Sequence, residues 1–438
     1  MHMVVGTTLA ALAAYLFQLI GGRVLGPVAF APISILWTVL FLVLTVLLLP
    51  IEQFTIRRLA LAQGWAGSLR SAAPAMAAVA VGSVTGVLAF ALLTRESFFA
   101  GTSLYAFQAG LMIFGYVIFA LGRGYLAGRR RFREYGWATA AEGVIRLAVA
   151  GIVLALFATG PSLAWSMVVA PFVVLWWRPF RPPNEDRRPA AGEEPLAEPP
   201  EEARAGRFLA GHVAANAASQ TILAGGPLLV GALGGSPAAV SIFFVTFTLF
   251  RGPLSMTYSL VARVLPSFTA LVARGEGTTL RRWSLRLGLG GLALSVLAGV
   301  VGWWMGPALV ALFFGPGFRP SPSLAAMAAS GAVAAMVSSF LNQVLIARAE
   351  TARMAAAWST ALLAAGLAVV AASGPAEIQV GWGFAVGNLA ALVVVMLMAG
   401  RARAAASGST PSAGRPPSRP GSPDPRGSIG EPPPRSPW

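Results

Sequence analysis

The chain contains no cysteine and no lysine, only two histidines, and charged side chains make up just 11% of its 438 residues. Without cysteine there are neither disulfides nor thiolate-held metals, and His2 and His212 cannot by themselves build a metal centre. No cofactor is expected. Acids are scarce as well: 16 Asp and Glu stand against 32 arginines, leaving a formal net charge of +16. Those arginines occupy short loops of one sidedness and a tail, so they point to anionic membrane lipids as partners and not to nucleic acid. The loops poor in arginine are short, and their only acids are Glu96 and Glu377. Paired carboxylates of the kind glycosyl chemistry uses are therefore missing, which argues against an enzyme. The seven acids between Glu185 and Glu202 lie among Pro and Ala with nothing to position them, and they read as a solvated charge run.

Apolar side chains fill the space that charge leaves, at 56% of the residues and a mean hydropathy of +0.71. About 20 apolar residues span a bilayer as a helix, whereas the alternation of a membrane barrel strand is missing. The expectation is an all-α, polytopic membrane protein. Twelve spans are predicted, at about 4–20, 32–49, 72–93, 104–125, 137–157 and 163–177, then 208–233, 239–265, 283–313, 324–347, 354–372 and 378–399. The first lacks a basic leader and a cleavage site, so it is expected to be retained. Residues 1–179 form one six-helix lobe and 208–400 another. Between them, 180–207 reads as a solvated linker too poor in apolar residues to fold, and 401–438 as a disordered basic tail rich in Pro and Ser.

The stretch from Ala120 to Val149 orients the rest. Arg123, Arg129, Arg130, Arg131 and Arg133 fall between two spans, so by the positive-inside bias this turn faces the cytoplasm. The loops of the same parity, with the tail, hold 27 of the 32 arginines, against Arg23, Arg95 and Arg319 opposite. A multi-pass protein of the cytoplasmic membrane with both termini inside, and a monomer, is the expectation. The halves also resemble each other. GGRVLGPVAFAPISIL (Gly21 to Leu36) compares with VGALGGSPAAVSIFF (Val230 to Phe244). LAGRRRFREYGW (Leu126 to Trp137) compares with IARAETARMAAAW (Ile346 to Trp358), and spans two and eight each end at a proline, Pro50 and Pro266. A duplicated bundle with the path between its lobes accounts for all three.

Polar residues inside the spans are the site candidates, because they are costly there. Glu142 and Arg146 lie four apart on one helix face, either as an ion pair or with Arg146 reaching a central cavity. Arg251, in LFRGPLS, has no acid within a helical turn and reads as a candidate for binding an anionic group. His212, Asn216 and Gln220 form a stripe on span seven, and Asn342 sits on span ten; such stripes glue helices or line a cavity. Gly225, Gly226 and Pro227 mark a break or hinge.

GRVLGPVAFAPISIL followed by LPIEQFTIRRLA resembles the opening of the polysaccharide flippases of the multidrug/oligosaccharidyl-lipid/polysaccharide exporter superfamily. The likeness continues through LAGRRRFREYGW, AEGVIRLAV and LFRGPLSMTYSLVARVLPSFTALVARGE. Val28 and Ala29 stand where that family carries an acidic pair. The resemblance implies two six-helix lobes in a V that move a lipid-linked glycan by alternating access. Arginine holds a phosphate or pyrophosphate bidentately at any relevant pH, so Arg251, Arg146 and Arg23 are the expected headgroup ligands, with Glu142, His212, Asn216, Gln220 and Asn342 as polar cavity residues. The alternatives are a six-plus-six exporter of small molecules, of drug or major-facilitator type, and a membrane-embedded glycosyl- or acyltransferase.

Overall fold

The computed structural model describes residues 2–61, 73–181, 214–254, 274, 277–348 and 350–400. His212, Pro266, the linker and the tail lie outside them. Among the described residues the chain is a polytopic all-α membrane protein. Ten helical stretches are long and apolar enough to cross a bilayer.

The first such stretch, Val5–Ile56, has 52 residues, about 78 Å at the 1.5 Å rise of an α-helix and so two bilayers' worth. It bends at Gly26, whose φ of 71° and ψ of 174° only glycine adopts readily. Pro27 then opens the next limb. The expected loop between spans one and two is thus a single left-handed residue in helix α1 (His2–Val43). Pro50 does not end span two as expected. A π-helical turn, Leu44–Leu48, shifts the hydrogen-bond register, and helix α2 (Leu49–Leu61) continues through the proline.

Next come α3 (Ala73–Leu93), the short α4 (Arg95–Phe98), α5 (Ser103–Gly128) and α6 (Phe132–Leu156). Helix α7 (Gly160–Val169) starts with a capping box in which Thr159 and Ser162 bond reciprocally. Pro171 cannot donate back to Met167, and the span tightens into a 3-10 helix over Ala170–Trp177. The second half comprises α8 (214–224) and α9 (Gly226–Ala232), which meet at Gly225. They are followed by α10 (Pro237–Leu254), α11 (Gly277–Phe314), α12 (Pro322–Ala347), α13 (Thr351–Ala371) and α14 (Ala376–Gly400). With α1 counted as two limbs and α8–α9 as one broken span, the described residues make twelve crossings. Gly234, with φ of 80°, follows Leu233 as Gly26 follows Leu25, so the turns matched by sequence share a left-handed glycine, with Pro237 three residues on where Pro27 is adjacent.

Small residues set the close packing. A Cβ on Gly6 would lie 2.1 Å from the Gly136 carbonyl oxygen, so α1 and α6 touch backbone to backbone there. The largest apolar cluster includes Phe17, Phe30, Phe243, Phe314 and Phe318 and draws on both halves of the chain.

Candidate functional site

Two Glu–Arg–Tyr triads join α5 and α6, the second of them through a glutamate on α2. On α5, Tyr116, Phe119 and Arg123 fall at helical spacing on one face; on α6, Tyr135, Thr139, Glu142 and Arg146 do the same. In the deeper triad Arg146 Nη1 donates to Glu142 Oε1 at 2.5 Å and to the Tyr116 hydroxyl at 2.8 Å, and Tyr116 donates to the same Glu142 oxygen at 2.5 Å. The Arg146 guanidinium stands 4.8 Å from the Trp37 ring centroid and 5.8 Å from that of Phe17, a second source of cation stabilisation. All three members are buried. The second triad is nearer the arginine-rich end. Arg123 Nη2 donates to Glu52 Oε2 at 2.5 Å, and the Tyr135 hydroxyl donates to Glu52 Oε1 at 2.9 Å. The Tyr116 and Phe119 rings pack edge to face at 6.0 Å, and Arg123 lies 5.3 Å from Phe119, which joins the triads along α5. Every buried carboxylate among the described residues is therefore held by an arginine.

A second pattern comes from prolines. In an α-helix the carbonyl of residue i accepts from the N–H of residue i+4, and proline has none. Pro227 frees the Leu223 carbonyl, and the Arg251 guanidinium donates to it. Pro253 frees Leu249, which the Tyr15 hydroxyl approaches at 3.4 Å while bonding the neighbouring Thr248 carbonyl. Leu312 lies in the last turn of α11, where carbonyls lack an intrahelical donor and Pro316 cannot supply one, and Arg23 Nη2 reaches its carbonyl at 2.6 Å. In the π turn Leu49 N–H bonds Leu44, so the next bond in that register would come from Pro50 to Thr45; Asn216 Nδ2 donates to Thr45 instead, at 3.2 Å. Three of these four bonds cross between the halves of the chain. Satisfying a carbonyl in hydrocarbon matters more than in water, where solvent would do it.

Asn216, Gln220 and Asn342, read from sequence as polar stripes, line one cavity of about 200 Å³ with Ser219, Ser339, Gln343, Met354 and Trp358. It lies among α8, α12 and α13. The Gln220 Oε1 and Asn342 Oδ1 atoms are buried with no hydrogen-bond partner among the described residues. A more open groove of about 520 Å³ runs beside α6, between Leu9, Trp137, Val144 and Trp177, with Arg133 and Glu134 at its rim.

The three expected headgroup arginines do not converge. Arg146 is closed into its triad, Arg251 caps Leu223 beside the break, and Arg23 caps Leu312 at the opposite end from Arg129–Arg133. Arg251 does not stand without a partner as its sequence neighbourhood suggests, because its guanidinium donates to a backbone carbonyl. At Gly225 the N–H still bonds Thr221, so the interruption of the ladder is the missing donor at Pro227. Gly226 is forced, since a Cβ there would meet the Phe243 ring at 2.3 Å. At the Arg23 end the halves seal against each other. Ser241 donates to the Pro27 carbonyl, Phe30 meets Phe244 and Phe318 at 6.2 and 6.3 Å, and Gly231 lies against Phe98.

Sequence reasoning missed the Glu52–Arg123–Tyr135 triad, having used Arg123 only to orient the chain; the signal was a glutamate three residues beyond the predicted end of span two. It also assigned the loop arginines to anionic lipids alone. Arg129 Nη1 donates to the Arg181 carbonyl at 2.6 Å, and Arg131 Nη2 to that of Trp177 at 3.1 Å, tying the loop to the end of the 3-10 helix. Burial, and then the charge of Arg131, holds the Arg129 guanidinium below its ordinary pKa.

No family model matches the chain, and neither does any curated protein. Solved structures do. One is a multidrug resistance MATE family transporter of the MOP superfamily in an inward-facing conformation, with TM-score 0.60 and 14% identity over 88% of this chain and 93% of that one. Another is a MOP superfamily transporter from Pyrococcus furiosus Vc1, with TM-score 0.58 and 13% identity over 91% and 94%. A third, MATE in complex with MaD5, gives TM-score 0.53 and 13% identity over 91% and 93%. The chain has the fold of these MOP superfamily transporters.

Proposed function

We propose that the protein is a transporter of the cytoplasmic membrane that flips a lipid-linked oligosaccharide or polysaccharide precursor, carried on a polyprenyl phosphate or pyrophosphate, by alternating access. The observation that carries this reading is the charge ledger of the interior. Among the described residues both buried carboxylates, Glu52 and Glu142, are paired with arginines, while the polar cavity's lining carries amides, hydroxyls and apolar side chains but no carboxylate. A cationic drug would need a free acid in the membrane interior; an anionic, sugar-bearing lipid does not. The fold shared with MOP transporters and the flippase-like motifs support the same reading. The arginine-rich end is then cytoplasmic, and the seal at Arg23, Phe30 and Ser241 is the contact that must part for outward release.

The test reconstitutes the chain in liposomes and follows a labelled polyprenyl-diphosphate N-acetylglucosamine from one leaflet to the other, with ethidium as a cationic comparison. Glycolipid movement without ethidium transport is expected. Ethidium transport with a stationary glycolipid would replace this reading with the small-molecule exporter.

A further inference from the structure

The cavity among α8, α12 and α13 holds polar groups whose hydrogen bonding is incomplete. Four of its side chains donate within the protein: the Asn216 amide to Thr45, the Ser219 hydroxyl to the Asn216 carbonyl at 2.9 Å, the Ser339 hydroxyl to Ala335 at 2.9 Å, and the Gln343 amide to Ser339 at 3.4 Å. The carboxamides of Gln220 and Asn342 are what remain. Gln220 is only 8% exposed, and both its Oε1 and the Asn342 Oδ1 take no bond. A buried acceptor without a donor is destabilising by about 1–3 kcal/mol, so two of them in one cavity mark a place where a ligand completes the bonding.

We infer that this cavity reads the sugar of the substrate by accepting from its hydroxyl groups, an inference that rests on the flippase reading above. A phosphate offers acceptors only and would leave the Gln220 and Asn342 amide oxygens without a donor, so the anionic part of the lipid is expected to bind elsewhere. A cation would bring charge to a site whose lining holds no carboxylate. An uncharged ring rich in hydroxyls supplies donors without charge, and Trp358, Met354 and Leu223 give its C–H face an apolar wall. The volume of about 200 Å³ equals roughly six or seven waters at about 30 Å³ each, which is room for one ring and not for a chain of them. Asn216 links the cavity to the first half of the molecule through Thr45, so an occupant sits beside one of the bonds that cross between the halves.

The experiment compares bare polyprenyl diphosphate with polyprenyl-diphosphate N-acetylglucosamine on the full-length protein by native mass spectrometry. Wild type should hold the sugar-bearing lipid at least about ten-fold more tightly. Replacing Gln220→Met together with Asn342→Leu should bring the two lipids within about two-fold and leave the affinity for the bare lipid unchanged. Each single substitution carries the same comparison should the pair lose its fold. Discrimination that survives the double substitution overturns the sugar assignment, as does equal binding of both lipids by wild type. Binding of neither lipid overturns the flippase reading and this inference with it. A thermal stabilisation by sodium chloride over choline chloride that the double substitution abolishes would give the cavity to a cation instead.

Discussion

Arg251 offers a direct test of the proline-freed carbonyls, because its partner and the cause of the vacancy are both single residues. In Arg251→Ala the buried Leu223 carbonyl keeps its place but loses its donor, and Pro227 cannot replace it. A hydrogen bond from a charged group contributes about 1.5–3 kcal/mol. Removing an arginine from the membrane interior returns a sum of similar size, about 2.5–3.5 kcal/mol on insertion scales. The single substitution alone therefore does not isolate the bond; a cycle with Pro227→Ala does. Alanine at 227 restores an N–H four residues after Leu223, and the intact bonds of Gly225 to Thr221 and of Leu229 to Gly225 show that the local backbone is already helical enough for it to donate. Arg251→Ala should therefore be more damaging in the wild-type background than in Pro227→Ala, by a coupling energy of about 1–2 kcal/mol. Other contacts of Arg251 cancel in the cycle. The measurement is reversible denaturant unfolding in mixed micelles for all four proteins. Additivity to within about 0.3–0.5 kcal/mol would refute the reasoning, leaving Arg251 as a residue whose bond to Leu223 carries no weight.

The deeper triad makes an opposite prediction about its acid. Glu142→Gln leaves Arg146 charged and buried without a counter-charge and should destabilise by about 3–5 kcal/mol, while Tyr116→Phe removes a bond worth about 1 kcal/mol. Replacing Glu142 and Arg146 together by Met should recover most of the loss, and a neutral Glu142→Gln in a thermal melt would contradict the geometry. For packing, Gly6→Ala must push α1 from α6 at Gly136, whereas Gly86→Ala has open space around its Cβ. The first should lower the melting temperature and the second leave it unchanged, and equal melting temperatures would show that α1 and α6 do not meet as closely as described.

The spans were legible because their length is set by the bilayer and their composition by the absence of water, both of which a linear sequence records. What it does not record is where a polar side chain finds its partner. The absence of an acid near Arg251 in sequence implied an unpaired charge, yet the partner is a carbonyl 28 positions away, made available by a proline four residues further on. Arg23 and Leu312 are 289 positions apart, and Tyr15 and Leu249 are 234 apart. Each pairing had a local half-signal, a proline inside or at the end of an apolar run, and Pro50 was read as a terminus and Pro227 as part of a hinge because nothing local showed what satisfies the carbonyl behind it. The same gap explains Pro50: a helix ends at a proline when the freed carbonyl has only water to turn to, and continues when another element supplies a donor, as Asn216 does for Thr45. The acid count was more informative. With so few glutamates in the spans, an arginine four residues from Glu142 made the pair one of two readings, and the fold selects it and adds the tyrosine that completes it and the Trp37 and Phe17 rings beside the guanidinium. Polar residues in this interior are therefore assigned to structure once a freed carbonyl or an opposite charge accounts for them. Several buried amide oxygens are accounted for by neither, and among them those of Gln220 and Asn342 line one cavity, which is what turns them toward a ligand.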